Sequence, residues 1–142
     1  MKLLKIGWFV LSTVLLCNSC DEGKLTENKF RSGDLMIRMS EIEIDSNYLD
    51  QYIAILKEES EASVRSEPGV ISIYPMYRKD APAEIRILEI YANKEAYESH
   101  LQTPHFKHYK AATLEMVRSL KLIDMEAIDP AVMPVIFHKM KQ

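Results

Sequence analysis

Apolar and polar positions follow two different periods along this chain, and the changes of period mark its elements. Short runs rich in isoleucine, valine and leucine predict four β-strands, over residues 35–44, 70–77, 85–91 and 120–127. Helical periods are predicted over 49–66 and 93–102, with a second helical piece after Pro104. This order predicts an α+β protein with the ferredoxin-like split βαβ topology, in which helices cover one face of an antiparallel four-stranded sheet.

The helical stretches each suggest a buried face. In the long helix the expected inward stripe consists of Leu49, Ile53, Leu56, Ser60 and Val64. Its polar side is expected to carry Lys57, Glu58, Glu59 and Glu61. The piece after Pro104 is expected to hold Phe106, Tyr109, Leu114 and Val117. A loop over 78–84, which contains Pro82, is predicted to join the second and third strands.

Both faces of the predicted sheet are apolar. In the first strand Ile37 and Met39 alternate with Met36 and Ile42, so neither face is consistently polar. Helices on one side leave the other side to be covered, and a second copy of the same sheet about a two-fold axis is the simplest cover. We therefore expect a homodimer. The apolar tail, 129–142, is a candidate for docking on the partner subunit.

The first residues predict a secretory signal rather than part of the fold. Lys2 and Lys5 precede an apolar stretch, and Ser19 is a small residue just before Cys20, so 1–19 has the layout of a signal peptide. The stretch is short for a membrane span. An ordinary cleaved signal and an uncleaved anchor are the alternatives to lipidation at Cys20.

Cysteine usage favours the lipoprotein interpretation. A cysteine after a small residue resembles a bacterial lipoprotein site, although Cys17 stands where such signals usually carry leucine. Residues 20–34 are polar and suit a flexible tether between the lipid on Cys20 and a domain over 35–128. We therefore expect a protein anchored by lipid to a membrane of the bacterial cell envelope. Because both cysteines precede the domain, a disulfide framework and a thiol nucleophile within it are excluded.

Charge and glycine content exclude two further classes. The formal net charge is −3, with 18 basic and 21 acidic residues and no basic patch interleaved with aromatics, so nucleic acid is not an expected partner. Four glycines and no glycine-rich phosphate loop argue against a nucleotide, flavin or nicotinamide cofactor.

His100 is the first candidate for chemistry. It recurs with Tyr97 and Leu101 at helical spacing, so the three share a face that is expected to point inward. A neutral imidazole there could accept a proton near neutral pH. The alternative is a core histidine bonded to a carbonyl, or a histidine that interacts with the helix dipole.

Glu89 is the second candidate, because a carboxylate in the middle of an apolar strand is costly unless it has a partner. It shares its parity with Tyr91, and the two could face a pocket together. The alternative is a structural ion pair with Arg38 or Arg86. Arg38 is accordingly either a pocket cation or the partner of Glu89.

Tyr74 and His105 are weaker candidates for contact with a ligand. The hydroxyl of Tyr74 could bond a phenolic substrate, with simple core packing as the alternative. His105 follows Pro104 at a helix start and could line a pocket mouth. No metal site is predicted, because the spacing of His100, His105 and His108 spans the proline and does not place three ligands on one helix face.

The run EIYANKEAYESHLQTPHFKHY, preceded by EPGVISIYP, resembles the antibiotic biosynthesis monooxygenase domain family, and within it the small quinol monooxygenases. The resemblance covers about 35–128 and implies a dimeric α+β barrel without a cofactor. It implies oxidation of a quinol or related electron-rich aromatic by O2, with His100 and Glu89 as catalytic residues. The residues expected to contact the substrate are Tyr74, Arg38, Tyr91, Tyr97 and His105.

Two other functions remain open. Haem-degrading relatives on the same scaffold use a histidine ligand, a tryptophan and an asparagine, but Lys110, His100 and Ile37 fall at or near those positions, which disfavours haem degradation. The rival from another class is a lipid-anchored dimer that binds a quinone-like molecule without turning it over. Pocket-lining residues would serve either purpose.

Overall fold

A computed structural model describes residues 34–142. The predicted signal peptide (1–19), the lipidation site Cys20 and all of the tether (20–34) but its last residue lie outside the described residues. No helix within the described part of the chain is long and apolar enough to cross a membrane.

The described chain folds as four strands and four helices. In order these are β1 (Met36–Ile44), α1 (Leu49–Ser66), β2 (Val70–Arg78), β3 (Ala81–Tyr91), α2 (Lys94–His100), α3 (Pro104–Ala112), β4 (Val117–Met125) and α4 (Val132–Met140). A 3₁₀ turn, Ser46–Tyr48, precedes α1. The sheet order is β2-β3-β1-β4, and every neighbouring pair is antiparallel. The predicted α+β ferredoxin-like fold is therefore confirmed.

The hairpin between β2 and β3 is tighter than the predicted loop over 78–84. Only two residues, 79 and 80, separate the strands, and Arg78 braces the turn through ion pairs to Asp80 (2.6 Å) and Glu84 (3.1 Å). Pro82 is tolerated within β3 because it precedes Glu84, the first residue of this strand that pairs with β1. The proline therefore does not interrupt the ladder between these two strands.

The inward face of α1 is rotated by about one residue from the predicted stripe. Its buried residues are Tyr52, Leu56, Glu59, Ser60 and Ser63, whereas Val64 is exposed. Tyr52 is the reason, because its large ring is fully buried in the core and fixes which side of the helix faces the sheet. The prediction that Glu59 lies on the polar side was therefore wrong.

The connection between α2 and α3 is set by two caps. The side chain of Asn93 accepts a hydrogen bond from the backbone N–H of Ala96 (2.8 Å) and begins α2. Thr103 caps α3, and Pro104 occupies its first turn. The chain reverses between the two helices, so the ring centroids of His100 and His105 lie 6.4 Å apart.

The end of α3 also differs from the prediction. The helix stops at Ala112, so the exposed Leu114 lies in a turn and Val117 already belongs to β4. The tail forms α4, whose apolar residues Val132, Val135, Ile136, Phe137 and Met140 are exposed in the single chain. The face of the sheet opposite α1 is also apolar, with Ile37, Met39, Leu88 and Ile123, as the alternation in β1 predicted.

Candidate functional site

A cavity of about 600 Å³ lies between the inner face of the sheet and helices α1, α2 and α3. Strand alternation sends every second residue of β1 and β3 into it, including Arg38, Ser40, Glu89 and Tyr91. His100 enters from the end of α2. The predicted pairing of Glu89 with Tyr91, and the inward direction of His100, are thus found in one cavity.

Glu89 is held by two hydroxyl groups. Tyr91, which is 0% exposed, donates a hydrogen bond from its hydroxyl to Oε2 of Glu89 (2.7 Å), and Ser40 donates to Oε1. Burial and the neighbouring carboxylate raise the pKa of Tyr91, so its hydroxyl remains a donor. The carboxylate is therefore fixed by neutral donors within the cavity.

The alternative role of Glu89, an ion pair with an arginine, is not what the structure contains. Arg38 pairs with Asp124 (2.7 Å) and lies over the ring of Tyr97 at 4.6 Å, while Arg86 reaches Glu41 (3.4 Å). Burial by itself would lower the pKa of Arg38, but Asp124 and Tyr97 raise it overall. Arg38 thus supplies a fixed cation at the wall of the cavity.

His100 is buried, with 2% of its surface exposed, and each of its ring nitrogens faces a carboxylate. Nδ1 lies 3.0 Å from Oε1 of Glu67, and Nε2 lies 3.7 Å from Oε1 of Glu59. The ring packs against Phe106 at 4.6 Å. Because an ionised carboxylate can only accept, the bond to Glu67 places a proton on Nδ1, while Nε2 faces Glu59.

Glu67 joins two histidines. Its Oε1, at the C-cap of α1, contacts both Nδ1 of His100 (3.0 Å) and Nε2 of His105 (2.6 Å). Burial alone would raise the pKa of Glu67, but the hydrogen bonds from the two histidines outweigh it and lower the pKa. The spacing argument from three histidines missed this meeting, because Glu67 is 33 residues from His100 in the sequence.

His105 does not line the main cavity. It lies instead beside a smaller one, of about 280 Å³, together with Glu58, Glu59 and His108. The expectation that His105 contacts the substrate at the pocket mouth is therefore not supported by its position. At the start of α3, Nε2 of His105 instead contacts Oε1 of Glu67.

Glu59 is a site residue that sequence reasoning missed. It is 5% exposed, lines the main cavity and accepts a hydrogen bond from Oγ of Ser63 (2.8 Å). Burial raises its pKa, against the opposing effects of Ser63 and His100. The signal available in the sequence was its spacing, because it lies three residues after Leu56, a member of the predicted inward stripe.

Tyr74 lies on the opposite face of the sheet and is 60% exposed. Simple alternation from the buried Val70 would turn Tyr74 inward, but the register shifts between Val70 and Ser72. This bulge inverts the parity of β2, so Ile73 lines the cavity and Tyr74 faces outward. The predicted hydroxyl donor is therefore absent from this position of the cavity.

Another tyrosine hydroxyl does lie at the cavity. Tyr109 lines it, and its hydroxyl lies 2.7 Å from that of Tyr52. Burial raises the pKa of Tyr109 to about 12. Much of the wall is apolar, with Ile42, Ile73, Ile87 and Phe106, and Glu59, Glu89 and His100 are among its polar residues.

Comparisons with known proteins agree on one family. The model of the antibiotic biosynthesis monooxygenase family matches residues 36–112. A candidate antibiotic biosynthesis monooxygenase from Bacteroides thetaiotaomicron is 49% identical, with a TM-score of 0.70 over 70% of this chain and 95% of that chain. A candidate monooxygenase from Lactobacillus acidophilus is 32% identical, with a TM-score of 0.63 over 64% of this chain and 43% of that chain. No curated protein matches the sequence.

Proposed function

The chain belongs to the antibiotic biosynthesis monooxygenase family, and we propose that it oxidises a quinol or a related electron-rich aromatic with O2, without a cofactor. One observation carries the proposal. A buried histidine, His100, lines a largely apolar cavity of about 600 Å³, with Nδ1 held by Glu67 and Nε2 3.7 Å from the carboxylate of Glu59. A proton acceptor in a dry pocket is what cofactor-free oxidation of a phenolic anion requires.

The lining favours a substrate that brings hydroxyl donors. His100, Glu59 and Glu89 all line the cavity, and carboxylate oxygens have lone pairs for further donors beyond Ser63, Tyr91 and Ser40. A quinol offers two O–H groups on a flat apolar ring. The cavity volume lies within the range of small-molecule sites, about 300–1,000 Å³. Arg38, over Tyr97, adds a cation that would stabilise a phenolate.

The first step is removal of a proton. Nε2 of His100 accepts a proton from one quinol hydroxyl, and the carboxylate of Glu67 stabilises the imidazolium through the proton on Nδ1. Glu89, held by Tyr91 and Ser40, accepts a hydrogen bond from the second hydroxyl. The resulting quinol anion is electron-rich enough to reduce O2 directly.

The oxygenation then balances without any other reductant. The anion transfers one electron to O2, and the semiquinone and superoxide combine to form a carbon–oxygen bond at a ring carbon that bears hydrogen. That carbon loses its proton as the O–O bond breaks, and the distal oxygen departs as hydroxide. The proton stored on His100 converts the hydroxide to water. The net change is quinol plus O2 to hydroxyquinone plus water.

Oxygen uptake with reduced naphtho- and benzoquinols tests this function. We expect uptake above the autoxidation rate, and we expect His100→Gln to lower it by about 10²–10⁴-fold, the usual contribution of a general base. His108→Gln is the matched control, because His108 is exposed and lines the smaller cavity, not the main one. Full turnover by His100→Gln would contradict the role of His100 as the general base. Binding of a quinol by calorimetry without uptake would instead support the non-catalytic binding dimer.

We also propose that the protein acts as a homodimer on a membrane of the cell envelope. The outward face of the sheet carries Ile37, Met39, Leu88, Ile123 and Met125, and a second copy would bury it. The lipid on Cys20 would hold the domain near the bilayer, where apolar quinols reside. This placement supports the choice of a membrane-soluble substrate.

A further inference from the structure

We propose that Glu67, His100 and His105 form a binding site for a divalent metal ion of the zinc type, behind the His100 ring as seen from the cavity. One carboxylate oxygen and two imidazole nitrogens lie within 4.8 Å of one another. Oε1 of Glu67 is 3.0 Å from Nδ1 of His100 and 2.6 Å from Nε2 of His105. Two imidazoles and a carboxylate are a ligand set typical of Zn²⁺ with an open fourth position.

Three fixed points of the fold hold these ligands. Glu67 is the C-cap of α1, His100 is the last residue of α2, and His105 lies in the first turn of α3. The side chain of Glu67 is 12% exposed and that of His105 is 23% exposed. The site is therefore open to solvent on the side of His105, where an ion can enter and a water can complete the coordination.

The spacing suits a metal after a small shift. Zinc binds nitrogen and oxygen at about 2.0–2.2 Å, which separates neighbouring ligand atoms of a tetrahedron by about 3.4 Å. The two contacts of Glu67 are shorter than that, and all three ligand atoms lie within 4.8 Å of one another, so no separation has to change by more than about 1.4 Å. These contacts are the hydrogen bonds that the three groups form with one another when no ion is bound.

A second carboxylate, on the other side of the His100 ring, also favours a metal on Nδ1. Oε1 of Glu59 faces Nε2 at 3.7 Å and is itself positioned by Ser63. With a metal on Nδ1, the proton moves to Nε2 and points at Glu59, which is the arrangement that second carboxylates usually provide for metal-bound histidines.

The ion would act on the cavity only through His100. Neither Glu67 nor His105 belongs to the lining of the main cavity, so a metal between them does not meet the substrate. Metal on Nδ1 leaves the proton on Nε2, and the ring can then no longer accept one from a quinol. Metal binding would therefore inhibit the oxidation. This consequence rests on the proposed function, whereas the binding itself does not.

A titration with Co²⁺, followed by visible absorption, tests the site on the full-length protein after removal of metals with a chelator and without a histidine tag. We expect one Co²⁺ per chain with d–d bands, displaced by Zn²⁺. His105→Ala and Glu67→Gln should each raise the dissociation constant by at least about 10-fold, since even the loss of an outer-shell partner has that effect. His108→Ala, on the same helix, should bind as the wild type does.

The controls keep the outcome decisive. Circular dichroism of each variant checks that the fold is retained, and the two ligand variants change different elements. Absence of stoichiometric binding in the wild type, or unchanged affinity in a folded Glu67→Gln variant, would overturn the site. In a second arm, Zn²⁺ should abolish quinol-dependent oxygen uptake and a chelator should restore it. Metal binding without inhibition would overturn the inhibitory role alone, and absence of any uptake would overturn the proposed function alone.

Discussion

The hydroxyl of Tyr91 allows a sharp test of how the buried carboxylate in the cavity is held. Tyr91→Phe removes one hydrogen bond of 2.7 Å to Glu89, and Tyr52→Phe removes one of the same length to Tyr109. Both parent side chains are 0% exposed, and both substitutions keep the ring, so the packing terms nearly cancel. The two variants therefore differ mainly in whether the lost partner is a carboxylate or a neutral hydroxyl.

The expected costs follow from that difference. A hydrogen bond to a charged group contributes about 1.5–3 kcal/mol, and a neutral one about 0.5–1.5 kcal/mol. We expect Tyr91→Phe to lower the free energy of unfolding by about 2 kcal/mol and Tyr52→Phe by about 1 kcal/mol. Urea unfolding at pH 7 and one fixed protein concentration measures both, since the stability of the proposed dimer would depend on concentration. Equal costs, or a larger cost for Tyr52→Phe, would refute this account of Glu89.

Three further predictions concern the fold, the assembly and the anchor. A Cβ on Gly69 would lie 2.5 Å from Cβ of Ala96, so Gly69→Ala should lower the free energy of unfolding by about 1–3 kcal/mol. Adding Ala96→Gly should recover part of this loss, and additive effects of the two substitutions would contradict the clash. Light scattering should give a dimer that Tyr74→Glu dissociates and Tyr77→Glu, similarly exposed but of the opposite parity, does not; a monomeric wild type would contradict the shared face. Cys20→Ala should move the protein from the membrane fraction to the soluble one, and unchanged fractionation would argue against lipidation.

Much of the fold could be predicted because period and topology are local signals. Alternation in β1 and β3 placed Glu89 with Tyr91, and the pattern of Tyr97, His100 and Leu101 placed His100 inward. The order of elements then left few arrangements for the sheet. These are the features that the structure reproduces.

The parts that sequence reasoning missed depend on contacts between distant residues. The face of α1 is set by Tyr52 in the core, which turns Glu59 into the cavity. A bulge after Val70 turns Tyr74 out of it, and a bulge leaves no clear mark in the sequence. Glu67 meets the two histidines only because the end of α1 lies beside the turn between α2 and α3.

The most direct test of the central claim is the fate of oxygen in the product. Purified protein is mixed with 1,4-naphthohydroquinone under ¹⁸O2, the products are separated, and their masses are determined by mass spectrometry. The account predicts 2-hydroxy-1,4-naphthoquinone that carries one ¹⁸O atom, formed by the wild type and largely lost in His100→Gln. Formation of only naphthoquinone and hydrogen peroxide, or of a hydroxylated product without the label, would contradict a monooxygenase.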